Sequence, residues 1–103
     1  MRFGLKNDIV EKINRAISSV PVIEEAIVYG SRAKGNSKPG SDIDIALKGN
    51  KITMNDLNRL NRILDDLLLP YTFDLTILRR IDNPDLLDHI ERVGIVLYTR
   101  ISD

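Results

Sequence analysis

The sequence predicts an α+β chain folded as αβ layers, and three observations predict it. Apolar residues recur at helical spacing from Ile9 to Val20 and again from Leu57 to Leu68. Short apolar or alternating runs at Ala26–Tyr29, Asp42–Leu47, Phe73–Leu78 and Ile95–Tyr98 read as strands. The two kinds of pattern follow one another as helix, strand, small loop-helix, strand, helix, strand, helix, strand, which is the order of one layered unit. A chain of 103 residues has room for one hydrophobic core and not for two, so residues 1–103 are expected to form a single domain.

Ile9, Val10, Ile13, Ala16, Ile17 and Val20 share one face of a helix over Asp8–Ser19, whose apolar side is suited to covering a sheet. Asp8 with Glu11 three residues later has the form of a capping box, and Pro21 stops the helix. Ala26–Tyr29 is a buried strand ending at Gly30, and Gly35, Asn36, Pro39 and Gly40 make the next stretch a loop. One helical turn through Arg32-Ala33-Lys34 fits inside that loop. The strand Asp42–Leu47 follows, then a turn at Lys48-Gly49-Asn50-Lys51.

Leu57, Leu60, Ile63, Leu64, Leu67 and Leu68 form the second apolar helical face, started by Thr53 or Asn55 as cap and closed before Pro70. In Phe73–Leu78, Phe73, Leu75 and Ile77 point one way while Thr72, Asp74 and Thr76 point the other. Asn83-Pro84 begins a last helix with Leu86, Leu87, Ile90 and Val93 on its apolar side, and Gly94 fits its C-terminal cap. Ile95–Tyr98 is the final strand.

Composition narrows the chemistry. Lys+Arg and Asp+Glu each number 15, and the resulting zero net charge argues against general nucleic-acid binding, which calls for a basic excess. Cysteine is absent, so disulfides and thiolate metal sites are excluded, and His89 alone cannot supply a multi-histidine zinc site. A hard-metal site made of carboxylates is left. Arg2, Lys6, Asp8, Glu11 and Lys12 break up the first stretch, which is therefore neither a signal peptide nor a membrane span. A soluble cytoplasmic protein without membrane partners is expected.

The chemistry concentrates between Ile27 and Leu47. Alternation places Asp42 and Asp44 on one strand face, with Cα atoms roughly 7 Å apart, so their oxygens can converge on a hard cation from the same side. Gly30 lets backbone approach a bulky anion, and Ser31 adds a hydroxyl and an N–H for phosphate oxygens. A phosphate cradle facing a metal platform suits a nucleoside triphosphate. A Walker loop has glycines at the spacing of Gly30 and Gly35, but it requires lysine where Asn36 stands. A half-exposed strand would also turn Asp42 and Asp44 to water as its wet face, but that leaves their spacing from Gly30-Ser31 without a cause.

Gly30-Ser31, then Arg32 to Ser41, then Asp42-Ile43-Asp44 resembles the signature of the DNA polymerase β-like nucleotidyltransferase superfamily. More narrowly, G-S-R-A-K-G with S-D-I-D-I-A-L resembles the minimal nucleotidyltransferase (MNT) family. The resemblance implies the nucleotidyltransferase fold, a small mixed sheet with helices packed on one side. It also implies nucleotidyl transfer from ATP or another NTP, with two Mg2+ ions held by three acids. Matched residue by residue, it makes Asp42, Asp44 and Asp74 catalytic and metal-binding, and Gly30 and Ser31 triphosphate-binding. The partner it implies is a helical protein of the HEPN type, a toxin that the MNT protein neutralises as antitoxin by transferring AMP onto a hydroxyl. A binding module that neutralises by contact alone is the alternative from another class. Transfer to a small molecule is disfavoured, because the chain has no room for an acceptor domain.

Asp74 can also be argued without the resemblance. It is the one acid inside a strand after Asp44, and adjacent strands lie roughly 4.8 Å apart, so it can reach the same ions. It is also placed to accept the proton of an attacking hydroxyl. Arg32, Lys34 and Lys38 lie in the loop, where they could neutralise a triphosphate or simply be solvated. Arg79 and Arg80 read as solvated charge or as contacts for an acceptor or partner, His89 as structural or surface, and Tyr29, Tyr71 and Tyr98 as rings buried at strand ends.

Overall fold

Residues 3–35 and 42–101 are described in the computed structural model. Asn36, Lys38, Pro39 and Gly40 of the expected loop lie outside the described residues. The elements are α1 (Asn7–Ser18), β1 (Glu25–Tyr29), α2 (Ser31–Lys34), β2 (Ile43–Lys48), α3 (Met54–Asp66), β3 (Phe73–Ile77), α4 (Pro84–Val93) and β4 (Ile95–Thr99), with a 3₁₀ turn at Leu78–Arg80 between β3 and α4. Each matches an element expected from the sequence, within a residue or two at its ends.

The strands form one mixed sheet in the order β3-β2-β1-β4. β1 runs antiparallel to both β2 and β4, while β2 and β3 are parallel. Parallel neighbours need a crossover, and α3 supplies it. Ala26, Val28, Ile43, Ile45, Leu47 and Ile77 point to one face and are buried there with Ile13 and Ile17 of α1 and with Leu57, Leu60 and Leu64 of α3. The stripes read for α1 and α3 therefore meet in the core. Leu68, expected on the α3 stripe, is the exception: it lies past the end of the helix with φ 54° and is exposed to water, because the chain turns away there.

The expectation of helices on one side holds for α1, α3 and, through Ala33, the short α2, but not for α4. α4 lies on the opposite face, where Ile90 packs with Tyr29 and Ala46, flanked by Ile27, Leu78, Ile81 and Leu86. The reason is local: α1 and α3 fill the first face, and the second still carries an apolar patch beside its acids. Burying that patch removes it from water and holds α4 over the end of β1.

One cap differs from expectation. The capping box at Asp8 and Glu11 does not form. α1 starts one residue earlier behind Lys6, which makes no side-chain cap bond, and Asp8 instead sits in the first turn, where it favours the helix dipole. Gly94 is the C-cap of α4 as expected, its N–H donating to the Ile90 carbonyl, with φ and ψ of -64° and 140°. A Cβ there would collide with the Ile90 carbonyl oxygen and lie 2.7 Å from Ile27 Cγ2, so this glycine lets α4 sit close against β1. Arg79 is not simply solvated, because it donates to the carbonyls of Gly49 and Ile52 and ties down the turn after β2. Among the described residues no helix is long and apolar enough to cross a membrane.

Candidate active site

β1 ends at Tyr29, and the chain turns at Gly30 with φ 74° and ψ -150°, a conformation essentially confined to glycine. Both backbone groups of that residue are held. The Gly30 carbonyl accepts from the Lys34 N–H at 3.2 Å, and its N–H donates to Nε2 of His89 at 3.3 Å. A Cβ on Gly30 would stand 2.5 Å from Asp44 Oδ2, so the carboxylate of β2 rests directly against the turn. Ser31 opens α2 immediately afterwards, and Gly35 ends it in the left-handed conformation at φ 79°.

The sheet register gathers the acids. Asp44 is paired with Tyr29 on β1 and with Asp74 on β3, and residues in register share a sheet face. Asp42 precedes β2 on the same alternation, and both Asp42 and Asp74 are exposed. Burial pushes the Asp44 carboxyl above the ordinary aspartate value; the charges of Asp74 and then Asp42 push it further, and a positive charge on His89 would oppose them. Burial likewise raises the Tyr29 hydroxyl; its hydrogen bond with Thr76 works against this, and the charges of Asp44 and Asp74 add to it. Three carboxylates, a phenol and an imidazole thus share one electrostatic neighbourhood.

Among the described residues no three histidine or carboxylate side chains are drawn together tightly enough to hold a metal ion as they stand. The donor chemistry fits a divalent hard cation all the same. The oxygen donors of all three acids are carboxylates, and the strain of like charges beside Asp44 is of the kind that a cation relieves.

Arg32 differs from expectation. It is 3% exposed; its guanidinium donates to the Phe3 carbonyl at 2.9 Å and lies over the Tyr71 ring at 5.2 Å. Phe3 and Tyr71 belong to the core on the α1 and α3 side, so this cation points away from the acids and holds α2 to the N-terminal segment. Lys34 is exposed at the end of α2. Lys38 lies outside the described residues.

His89 is the site residue that sequence reasoning missed. It bonds the Gly30 N–H and meets the Tyr29 ring edge-on, with centroids 6.2 Å apart and an interplanar angle of 80°. Its signal in the sequence is its position three residues after Leu86 and one before Ile90, on the margin of the apolar stripe of α4.

A crystal structure of a toxin–antitoxin complex with AMP-PNP superposes with a TM-score of 0.73 at 24% identity, covering 88% of this chain and 73% of that one. The structure of a tri-AMPylated Shewanella oneidensis HEPN toxin with its MNT antitoxin matches with a TM-score of 0.65 at 22% identity, covering 88% and 70%. A chain described as a minimal nucleotidyltransferase matches with a TM-score of 0.68 at 23% identity, covering 92% and 95%. At these identities the likeness carries the fold. No curated protein matches the sequence significantly. The family profile described as "Polymerase beta, Nucleotidyltransferase" matches residues 11–103, so the chain, which sets Asp44 between a glycine turn and Asp74, belongs to the polymerase beta nucleotidyltransferase family.

Proposed function

We propose that this chain is a metal-dependent nucleotidyltransferase that moves AMP from ATP onto a hydroxyl of a HEPN-type partner and so acts as an antitoxin in the cytoplasm. The observation that carries the reading is the register of Asp44 with Asp74 beside Gly30. Family membership supports the reaction class. The fold shared with an antitoxin bound to an AMPylated HEPN toxin supports the partner and the acceptor. The fold shared with a complex containing AMP-PNP supports an adenine nucleotide. Residues 1–103 act as one domain, and the surface that holds the acceptor comes from the partner.

Asp42, Asp44 and Asp74 would hold the Mg2+ ions. Such ions would supply positive charge for the phosphates and for the oxygens of an in-line displacement. The chain's own residues bind and orient. Gly30 gives the triphosphate close access to backbone, Ser31 offers a hydroxyl and an amide, and Lys34 contributes positive charge from the end of α2. Asp74, exposed at the sheet surface, accepts the proton of the acceptor hydroxyl. A bond forms between that hydroxyl oxygen and the α-phosphorus, the bond from the α-phosphorus to the bridging oxygen breaks, and pyrophosphate leaves.

The test is transfer of label from α-labelled ATP to the partner in the presence of Mg2+. Covalent label that disappears in Asp42→Asn and Asp44→Asn supports the enzyme. A stable complex that never acquires label overturns it in favour of neutralisation by contact.

A further inference from the structure

We propose that His89 is a positioning residue for the nucleotide-binding corner, acting through the amide of Gly30. The inference rests on the reading that Gly30 and Ser31 hold a nucleotide. Gly30 occupies a backbone region that only glycine enters readily, and because glycine is free to leave it as well, the conformation is fixed by the neighbours that hold it. One hold is local, the bond from the Lys34 N–H to the Gly30 carbonyl. The other comes from 59 positions along the chain, where α4 brings Nε2 of His89 to the Gly30 N–H.

The imidazole is itself fixed. Its ring stands edge-on to Tyr29, which Ile90, the next residue of α4, helps to bury. Because Nε2 accepts a hydrogen bond, it carries the lone pair, and the proton of the neutral ring resides on Nδ1. The Tyr29–Gly30 peptide plane is therefore clamped by α4 on one side while Asp44 rests against Gly30 on the other. Tilting that plane would move Ser31 and the Asp44 carboxylate together. His89 thus sets the geometry of the corner without touching the nucleotide.

Two measurements on the full chain test this. In the ligand-free protein, ¹H–¹⁵N spectra of the imidazole should show an unprotonated Nε2 and a protonated Nδ1. The Gly30 amide resonance should shift in His89→Leu and return toward the wild-type position in His89→Gln, whose Oε1 can stand where Nε2 stands. For AMP-PNP binding with Mg2+, His89→Leu should weaken affinity about fivefold, the factor of one ordinary hydrogen bond, while His89→Gln stays within about twofold.

A Gly30 amide that ignores His89→Leu overturns the proposal, as does equal nucleotide affinity in wild type and His89→Leu. Equal losses in His89→Leu and His89→Gln also overturn it, because they assign the effect to ring bulk instead of the acceptor. If the wild type binds no AMP-PNP while the Gly30 shift reports the bond, the nucleotide reading has failed and the positioning role with it. That pattern differs from every failure of His89 alone.

Discussion

A guanidinium that is 3% exposed keeps its charge inside the protein only if oxygens or a ring face replace the lost water, and Arg32 has a carbonyl and an aromatic face. The residue therefore works on stability. Arg32→Met keeps the length and removes the bond to Phe3, and it should cost about 1–3 kcal/mol in chemical denaturation. Nucleotide affinity, measured well below the melting range, should remain close to wild type. A large loss of affinity with unchanged stability would return Arg32 to the phosphates. The contrast with Asp44 shows what a sequence discloses at this scale. The strand alternation that orients Asp44 is written in its own neighbours, Ile43 and Ile45. The inward turn of Arg32 depends on Phe3 and Tyr71, which lie in remote segments, so no local pattern announces it.

Among the elements, α3 shows how a few polar atoms fix a helix start. Thr53, one of two caps open from the sequence, accepts from the Asp56 N–H at 3.3 Å, and Asp56 accepts from the Thr53 N–H at 2.8 Å. The second bond, first, and then the Thr53 hydroxyl hold the Asp56 carboxyl below the ordinary aspartate value. A depressed value means the folded state favours the carboxylate, so the stabilisation is present above the unfolded value and is lost as pH falls through the folded one. Asp56→Asn should therefore melt below wild type at neutral pH, with the gap closing as pH falls below the ordinary aspartate range. A gap that stays constant from neutral to acid would place the effect elsewhere than in the carboxylate. The start and length of α3 were legible from Thr53, Pro70 and the leucine stripe between them. The side of the sheet taken by α4 was not. Its stripe of Leu86, Ile90 and Val93 says that one face is buried, but only the prior filling of the opposite face by α1 and α3 decides where.

For the molecule as a whole, one edge of the sheet concentrates what the rest of the fold makes possible. Ile43, Ile45 and Leu47 are fully buried, which anchors β2 so firmly that the alternate residue Asp44 must face the other way, into the charges of Asp42 and Asp74. The three acids and their meeting on neighbouring strands were legible from strand alternation and from the place of Asp74 in the next long strand. The exact pairing of Asp44 with Asp74 was not, because the register of parallel strands joined through α3 is set by packing over the whole core. Without a bound cation this arrangement stores repulsion: burial, Asp74 and Asp42 all disfavour a charged Asp44. Asp44→Asn keeps the shape that rests against Gly30 and removes the charge. In EDTA the variant should melt at the wild-type temperature or above it. With Mg2+ and AMP-PNP the order should reverse, since a ligand that binds the native state stabilises it by mass action and the variant has lost a donor. Thermal unfolding of both proteins under both conditions decides the matter. A marked loss of stability in EDTA would show that the fold needs the Asp44 carboxylate for its own cohesion, and the metal would then be a secondary occupant of a structural site.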